Sequence, residues 1–429
     1  MLRTLPRLFA ASLLLLATGL PLATNAATSY TNQLIKLSCP AHADVNDPCK
    51  AVYYVGGDDK RHAFPNDKTY FTWFVDFAGV KTVSSSALAS IPLGPNVSYR
   101  PGVRMVKFTT LDKVYAVGLG GELRWIATEA VAQGLYGTNW NTQIDDISDA
   151  FFSDYYLGAD IVSATDFHKD SERLAATSPD ANLPITSKTI SVVTEHGTFT
   201  ADVITLQKNK FTMVTDTANT SDCQNGCAAQ ALGTFAAENN AVAGIHGTYF
   251  CPPEYADCAS KTNTFLSPVY NSAAGTMINS SSLVVHEGPI LATATDGRSF
   301  FSHRTKDFGS SVASLETTNN ATLAAAISNY PSLVENGQVI VDGEARLAET
   351  NPTVKSLRGG IGMNGSFFYL VIAHQATVSD LAWVIKALGA TDALNLDGGG
   401  SSALWYNGTY VVGPGRPLPN AILFKTKTP

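Results

Sequence analysis

The sequence of 429 residues is poor in charge and has no excess of basic side chains. Charged residues make up 15% of the chain, and the formal net charge is −7. Lysine and arginine form no basic stripe, so nucleic acid is not an expected partner. Beyond the first 20 residues the sequence lacks an apolar run long enough to span a bilayer. The chain is also too long for one hydrophobic core, which predicts two or three domains.

The one long apolar segment lies at the amino terminus and has the form of an export signal. Arg3 and Arg7 precede a run of mainly apolar residues from 8 to 20, and residues 24–26 are small enough for cleavage. We interpret residues 1–26 as a signal peptide, with a retained anchor as the alternative. The expected protein is secreted, periplasmic or at the cell surface, without a stable transmembrane segment after cleavage.

Cysteine is scarce, and its even number suits an exported protein with three disulfides. Cys39 and Cys49 flank a short polar loop, which predicts a bridge between them. The four remaining cysteines fall into two close pairs: Cys223 with Cys227, and Cys251 with Cys258. These four allow three pairings, and the sequence does not choose among them. A zinc site built from four thiolates is the alternative.

Residues 27–164 contain a weak internal repeat. Residues 52–56 and 114–118 share an alternating pattern that ends in glycine, which is typical of a β-hairpin. Each copy is followed by a segment with helical spacing, at 84–91 and at 144–156. The pattern predicts a small α+β domain of two tandem hairpin-helix units, similar to a module of other exported bacterial proteins and of unknown role. The polar residues 165–187 are interpreted as a linker.

Residues 188–429 are predicted to form an α+β domain with a mixed, largely antiparallel sheet and flanking helices. Apolar residues at helical spacing indicate helices at 227–238 and 378–388, each followed by a short strand and a glycine-containing turn. Asn-Gly pairs between apolar segments indicate hairpins at 336–337, 364–365 and 407–408. Both turns after the helices lie just past a strand, where ligand sites in α/β proteins are common.

The most informative segment is Asn395-Leu396-Asp397-Gly398-Gly399-Gly400-Ser401-Ser402. Consecutive glycines are costly to order, and they are used where backbone approaches a ligand or adopts positive φ. Their N–H groups can form a concave anion-binding surface. A carboxylate beside such a surface indicates chemistry on a phosphate or a sugar. The alternative is a tight turn between two strands, with Asp397 capping it.

On these residues, the region from about 187 to 427 resembles the phosphodiester glycosidase family. The strongest match is 393–402 with the helix before it. A second is 244–250, where His246 replaces an Asn that is usual in the family. A third is 357–362, which places Arg358 just ahead of a strand. The resemblance implies an exported hydrolase that cleaves a sugar-1-phosphodiester in a cell-wall or extracellular glycan.

The resemblance also implies roles for individual residues. Asp397 is expected to orient water or stabilise an oxocarbenium-like state, and Arg358 to bind phosphate bidentately. His246 is expected to act as a general base or a phosphate donor, or else to be a histidine satisfied by backbone. The second carboxylate is expected from Asp342, with Glu344 and Glu254 as alternatives. The remaining candidates for binding phosphate or sugar are Gly398, Gly399, Gly400, Ser401, Asn395, Gly247 and Asn271, the last of which could equally be a turn residue.

Two other functions fit the same motif. One is a non-catalytic surface protein that binds an anionic glycan at the glycine turn. The other is a metal-dependent phosphodiesterase that breaks the P–O bond rather than the C–O bond. Asp397 could also bind a structural cation such as calcium, the one cofactor that the sequence suggests. The expected partner in every case is a carbohydrate phosphodiester or a cell-wall glycan.

Overall fold

The computed structural model describes residues 30–341 and 354–427. The predicted signal peptide, together with Asp342 and Glu344, lies outside the described residues. Two small α+β units occupy the amino-terminal part. The first contains β1 (Leu34–Leu37), β2 (Tyr53–Val55), β3 (Arg61–Ala63), α1 (Asp67–Trp73), β4 (Val80–Val83) and α2 (Ser85–Ser90). Its sheet has the order β3-β2-β1-β4, with β1 and β4 parallel.

The second unit repeats this strand order and adds one strand. It contains β5 (Met105–Phe108), β6 (Val114–Gly118), β7 (Glu122–Trp125), α3 (Glu129–Tyr136), β8 (Ile144–Ile147) and β9 (Tyr156–Leu157). Its sheet has the order β8-β5-β6-β7-β9, with β5 and β8 parallel. The prediction of a helical segment at 144–156 is wrong at its start, because alternating burial places residues 144–147 in β8 beside β5. A short 3-10 helix, Asp149–Asp154, follows.

The carboxyl-terminal part contains three sheets, and every strand pair described in them is antiparallel, which confirms the predicted α+β class. The seven-stranded sheet has the order β10 (Ile185–Thr194), β11 (Gly197–Gln207), β22 (Phe367–Ala376), β21 (Ser356–Met363), β23 (Asp392–Gly398), β19 (Ser332–Glu335) and β20 (Gln338–Val339).

Two five-stranded sheets accompany it. One has the order β12 (Phe211–Thr217), β26 (Asn420–Thr426), β13 (Ala243–His246), β24 (Leu404–Tyr406) and β25 (Thr409–Val412). The other has the order β15 (Thr276–Ile278), β14 (Val269–Asn271), β18 (Leu323–Ser328), β16 (Ile290–Ala294) and β17 (Ser299–Ser302). The helices are α4 (Lys169–Ala175), α5 (Leu232–Glu238), α6 (Thr305–Phe308), α7 (Val312–Asn319) and α8 (Val378–Ala387).

The main core lies between the three sheets. Leu206, Ile245 and Ile327 come from three different sheets and pack into one buried cluster. The opposite face of the seven-stranded sheet is covered by α8, which buries Leu381 and Ile385. In this sheet β23 is an interior strand between β21 and β19, and apolar side chains are buried on both faces of the sheet.

The sequence signals of α8 are confirmed in full. Thr377 accepts from the N–H of Asp380, and Asp380 accepts from the N–H of Thr377 in a capping box. Gly389, with φ of +95°, ends the helix. The predicted helix at 227–238 is too long, because α5 begins only at Leu232. Cys227 lies in a disulfide, and Gln230 forms an extended bridge to Leu418.

All six cysteines form disulfides. Cys39 pairs with Cys49, as predicted. The sequence did not choose among three pairings of the other four cysteines. The structure has the two short-range bridges Cys223–Cys227 and Cys251–Cys258. Their thiolates are therefore not available to zinc. In the described part of the chain, none of the helices combines the length and the apolar character that crossing a membrane demands.

The predicted linker, residues 165–187, contains α4 and the first residues of β10. Hydrogen bonds tie this segment to both sides. Asp180 accepts from the N–H of Gly57 at 3.0 Å and pairs with Lys188. Gln207 Nε2 of β11 donates to the carbonyls of Gly120, Asn182 and Leu183 at 3.1–3.2 Å. The amino-terminal units are thus bonded directly to the seven-stranded sheet.

Candidate functional site

The glycine turn begins where β23 ends. Asp397 Oδ1 accepts from the N–H of Gly398 at 2.8 Å, and Gly399 has φ of +57°. This backbone conformation favours glycine and allows the chain to leave the sheet at once. Burial raises the pKa of the Asp397 carboxyl. The Ser401 hydroxyl opposes that rise, although no hydrogen bond of ordinary geometry joins the two side chains. The site therefore holds a poorly solvated carboxyl group at a strand end.

The two turns singled out in the sequence lie against each other. The N–H of Asp397 donates to the carbonyl of Gly247 at 3.0 Å, which joins the end of β23 to the end of β13. A side chain at Gly247 would overlap the amide of Asn420, so close packing explains this glycine. The two turns meet because β13 and β23 end side by side in neighbouring sheets. The contact between the two turns could therefore not be predicted from their spacing in the sequence.

His246 is fully buried, and both ring nitrogens face backbone. Nε2 lies 2.7 Å from the main-chain oxygen of Asp397, and Nδ1 accepts from the N–H of Ala403 at 3.2 Å. This pattern fits a neutral ring with its proton on Nε2. Burial lowers the pKa of His246, which keeps the ring uncharged. The sequence left three roles open for His246: general base, phosphate donor, or a histidine whose ring bonds only to backbone. The geometry agrees with the third role, and the ring helps to position Asp397.

Arg358 lies on β21 directly opposite Gly398. Its Nη1 would be 3.4 Å from a Cβ atom built on Gly398, so the guanidinium lies against the turn. Its Nη2 donates to the carbonyl of Val354 at 2.7 Å, which holds the group in place. The strand pairing therefore brings a fixed positive charge to the residue next to Asp397, as a phosphate-binding role requires.

Arg416 is a second guanidinium at the turn, and it is absent from the residues chosen by sequence. Its main-chain N–H donates to the Gly400 carbonyl at 2.9 Å, and its Nη2 would be 2.5 Å from a Cβ atom on Gly400. The charge of Arg416 also opposes the rise in the pKa of Asp397 that burial causes. The available signal was its position as a lone cation in a glycine- and proline-rich loop, Gly413-Pro414-Gly415-Arg416-Pro417.

Arg416 also contacts the loop closed by Cys251–Cys258. Its Cζ lies 5.5 Å from the centre of the Tyr255 ring, and Glu254 Oε1 lies 4.0 Å from its Nε. The Arg416 side chain therefore lies between Gly400 of the turn and the Tyr255 ring. Three residues were candidates for the second carboxylate, and among them the structure describes Glu254. Its carboxylate lies beside the Arg416 guanidinium.

Three polar atoms at the turn are buried and have no hydrogen-bond partner among the described residues. They are Ser401 Oγ, Ser402 Oγ and Arg416 Nε. Buried polar atoms in native proteins are nearly always satisfied, so a local group of unsatisfied ones indicates a position for bound water or ligand. Their chemistry, two hydroxyls and a guanidinium N–H, suits the oxygen atoms of a phosphate.

Asn395 and Tyr249 form the neighbouring wall. Asn395 Nδ2 donates to the Tyr249 hydroxyl at 2.7 Å and to the Tyr330 carbonyl at 3.1 Å. Burial, with a smaller effect of the Asp397 charge, raises the pKa of Tyr249 to about 12. Tyr249 and Tyr330 also line a cavity of about 340 Å³ together with Phe250, Lys261 and His286. A space for a small organic group thus adjoins the residues around Asp397.

One predicted residue that the structure describes, Asn271, is not part of this group. Other contacts occupy the Asn271 amide, since Nδ2 donates to Thr217 Oγ1 at the end of β12 at 2.8 Å and Oδ1 accepts from the N–H of Ala274 at 2.8 Å. Asp342 lies outside the described residues. For the calcium suggestion, residues 30–341 and 354–427 contain no group of three or more His, Cys, Asp or Glu able to hold a metal ion.

A family model matches the part of the chain that contains this site. Residues 239–425 match the family model of phosphodiester glycosidase, and the resemblance inferred from the motifs is confirmed over that region. The match includes Asp397, Arg358 and Arg416, and it begins after β10 to β12 and α5. No curated protein matches the chain.

Two solved structures are similar at low identity. The catalytic domain of zebrafish N-acetylglucosamine-1-phosphodiester alpha-N-acetylglucosaminidase, auto-inhibited by its pro-peptide, is 14% identical; the match covers 56% of this chain and 83% of that one, with a TM-score of 0.44. A hypothetical protein from Synechocystis is 15% identical over 57% of this chain, with a TM-score of 0.42. The match spans 62% of the Synechocystis chain.

Proposed function

We propose that this protein is an exported hydrolase that cleaves a sugar-1-phosphodiester at the bond between the anomeric carbon and the phosphate oxygen. The observation that carries the proposal is the grouping of a half-buried carboxyl, Asp397, with two guanidinium groups, Arg358 and Arg416, around one glycine turn. A carboxyl group and a phosphate-binding pair are the two components that this reaction needs.

The reaction consumes one water molecule. The water oxygen forms a bond to the anomeric carbon, and the carbon–oxygen bond to phosphate breaks with its electron pair going to the phosphate. The products are a free sugar and a phosphate monoester. Because a phosphate monoester is a good leaving group, the site needs charge stabilisation at phosphate more than a strong proton donor.

The residues divide this work. Arg358 and Arg416 hold the phosphate and stabilise the charge that it gains. Asp397 accepts a proton from the attacking water, and its raised pKa makes it a better base than an exposed carboxylate. Glu254, beside Arg416, is the candidate second carboxylate in the described chain. His246 touches no reacting group in this scheme; it positions Asp397 through the main-chain oxygen of that residue.

The test is hydrolysis of sugar-1-phosphodiesters by purified protein in ¹⁸O-labelled water. Label in the released sugar is expected, because the C–O bond breaks. Label in the phosphate would instead establish P–O cleavage, the metal-dependent phosphodiesterase alternative. Binding of the phosphodiester without any turnover would favour a non-catalytic glycan-binding protein. The proposed natural substrate is a phosphodiester-linked sugar of a cell-wall or extracellular glycan, which suits an exported protein with three disulfides.

A further inference from the structure

A second cavity lies where the amino-terminal units meet the carboxyl-terminal sheets, and no residue of the glycine turn lines it. Its volume is about 540 Å³, which is within the range of small-molecule sites. The first unit contributes Lys60 and Asn96, the second contributes Asp154, and the carboxyl-terminal part contributes Lys210 and Tyr406. Neither part forms this cavity alone, so any ligand bound there would depend on the amino-terminal units.

The cavity is lined by three lysines and two carboxylates, so its wall carries an excess of positive charge. In residues 30–341 and 354–427, the ammonium groups of Lys60 and Lys210 form no ion pair within 4.0 Å and no hydrogen bond, although the charge of Lys210 acts on Asp154. The two carboxylates of the wall do have donors. Asp58 accepts from His62 Nε2 at 2.8 Å, and Asp154 accepts from Asn96 Nδ2 at 3.1 Å. An anion is therefore favoured over a neutral or cationic ligand.

Lys427 adds to this charge from the carboxyl-terminal side. Its Nζ donates to the carbonyl of Lys208 at 2.9 Å, a contact that orients the ammonium group without neutralising it. Three lysines drawn from two parts of the chain thus line one cavity. Such an arrangement attracts a single anionic group at short range, where screening by salt is weakest.

The same cavity has features that suit a sugar ring. Asn182 is 9% exposed, and its Oδ1 is buried without a partner in the described chain, while its Nδ2 donates to Ser98 Oγ and the Tyr99 carbonyl. That oxygen needs a donor, and a sugar hydroxyl is one. Tyr406, which is half-buried, supplies aromatic surface against which the C–H face of a sugar packs favourably.

We propose that this cavity binds an anionic sugar, one that carries a phosphate or a carboxylate, at a site separate from the glycine turn. The anionic group lies among Lys60, Lys210 and Lys427, and the ring lies towards Asn182 and Tyr406. This site gives the amino-terminal units a role, which is to retain the protein on an anionic glycan or to sense an anionic sugar. It does not depend on the proposed hydrolysis.

The test is isothermal titration calorimetry on the mature full-length protein. The probes are glucose 6-phosphate and galacturonate, with glucose and inorganic phosphate as comparisons. Both anionic sugars are expected to bind. The double variant Lys60→Ala/Lys210→Ala is expected to weaken that binding by about tenfold or more, because two charge-assisted contacts are lost. Lys60→Arg/Lys210→Arg is expected to retain binding, since the charge remains.

Two controls separate this site from the glycine turn. Lys50→Ala/Lys81→Ala removes two exposed lysines outside the cavity and is expected to change nothing. Arg358→Ala/Arg416→Ala removes the guanidinium groups of the glycine turn and is expected to leave sugar binding at the cavity intact. If the arginine variant abolishes binding and the lysine variant does not, the anion binds at the turn and the proposal is wrong. Equal affinity for inorganic phosphate would refute the sugar component, and no binding of either anionic sugar would refute the whole.

Discussion

The Nε2 atom of His246 donates a hydrogen bond of 2.7 Å to the main-chain oxygen of Asp397. This bond joins the ends of two strands in different sheets. It also occupies the Nε2 proton, which a histidine acting as a general acid or base would have to transfer to or from a substrate. His246 thereby acts on the carboxyl group of Asp397 only through the backbone. The residue at this position can then differ from the Asn usual in the family without removing a reacting group.

The first prediction concerns acid stability. Burial lowers the pKa of His246, so the unfolded chain gains a proton below pH 6.5 before the folded protein does. The free energy of unfolding therefore decreases as the pH falls below 6.5, by up to about 1.4 kcal/mol per pH unit. His246→Asn is expected to flatten this slope in urea unfolding between pH 7 and pH 5. The exposed control His42→Asn should keep the slope, and an unchanged slope in His246→Asn would contradict the assignment.

The second prediction separates catalysis from stability at Asp397. Its raised pKa means that ionisation costs more in the folded protein, so stability present below pH 3.8 is lost as the pH rises through the folded pKa. Asp397→Asn avoids that cost and is expected to match or exceed the wild type in thermal stability at pH 7. Turnover of a sugar-1-phosphodiester is expected to fall by about 10³-fold. Asp112→Asn, an exposed control, should alter neither; full turnover in Asp397→Asn would remove this residue from the mechanism.

The third prediction tests Arg416, the residue that the sequence did not reveal. Its planar guanidinium lies between Gly400 and the Tyr255 ring, a position that an ammonium group cannot fill in the same way. Arg416→Lys is expected to lower kcat/KM by about tenfold, and Arg416→Ala by about 10²-fold. Arg173→Lys on α4 is the matched control. Equal kcat/KM for Arg416→Lys and the wild type would show that charge alone is sufficient.

The fourth prediction concerns Gly359 on β21. A methyl group there would overlap the ring of His246 and lie 3.2 Å from the main-chain oxygen of Asp397. Gly359→Ala is expected to destabilise the fold by about 1–3 kcal/mol and to reduce turnover by displacing Asp397. At Gly365 an added methyl group meets nothing within 4 Å, so Gly365→Ala should change stability by less than about 0.5 kcal/mol. Chemical denaturation of both variants provides the comparison.

Local signals in the sequence predicted the elements that depend on local chemistry. The Thr377–Asp380 capping box, Gly389 and the three Asn-Gly hairpins were all found where the sequence indicated. The errors have tertiary causes. Residues 144–147 form a strand because β5 offers a parallel partner, and α5 starts late because Cys227 is bridged to Cys223.

The candidate site shows the same division. Asp397 and its glycines are contiguous, and their composition alone indicated a site. Arg358 was indicated by the family resemblance, and its strand register then places it against Gly398. Arg416 could not be selected, because its nearness to Gly400 depends on how the loop between β25 and β26 returns across the turn. The partners of His246 likewise come from segments more than 150 residues away.

The junction between Asp180, Gln207 and the amino-terminal units has a practical effect on shortened versions of the chain. A chain that starts at residue 188 would lack the first three residues of β10. The part of β11 that pairs with them would then have no antiparallel neighbour on that side. It would also remove the carbonyls of Gly120, Asn182 and Leu183, leaving the Gln207 amide unsatisfied. An exposed strand edge of this kind recruits other chains, so the isolated carboxyl-terminal half should associate with itself unless it retains the residues from Pro179 onward.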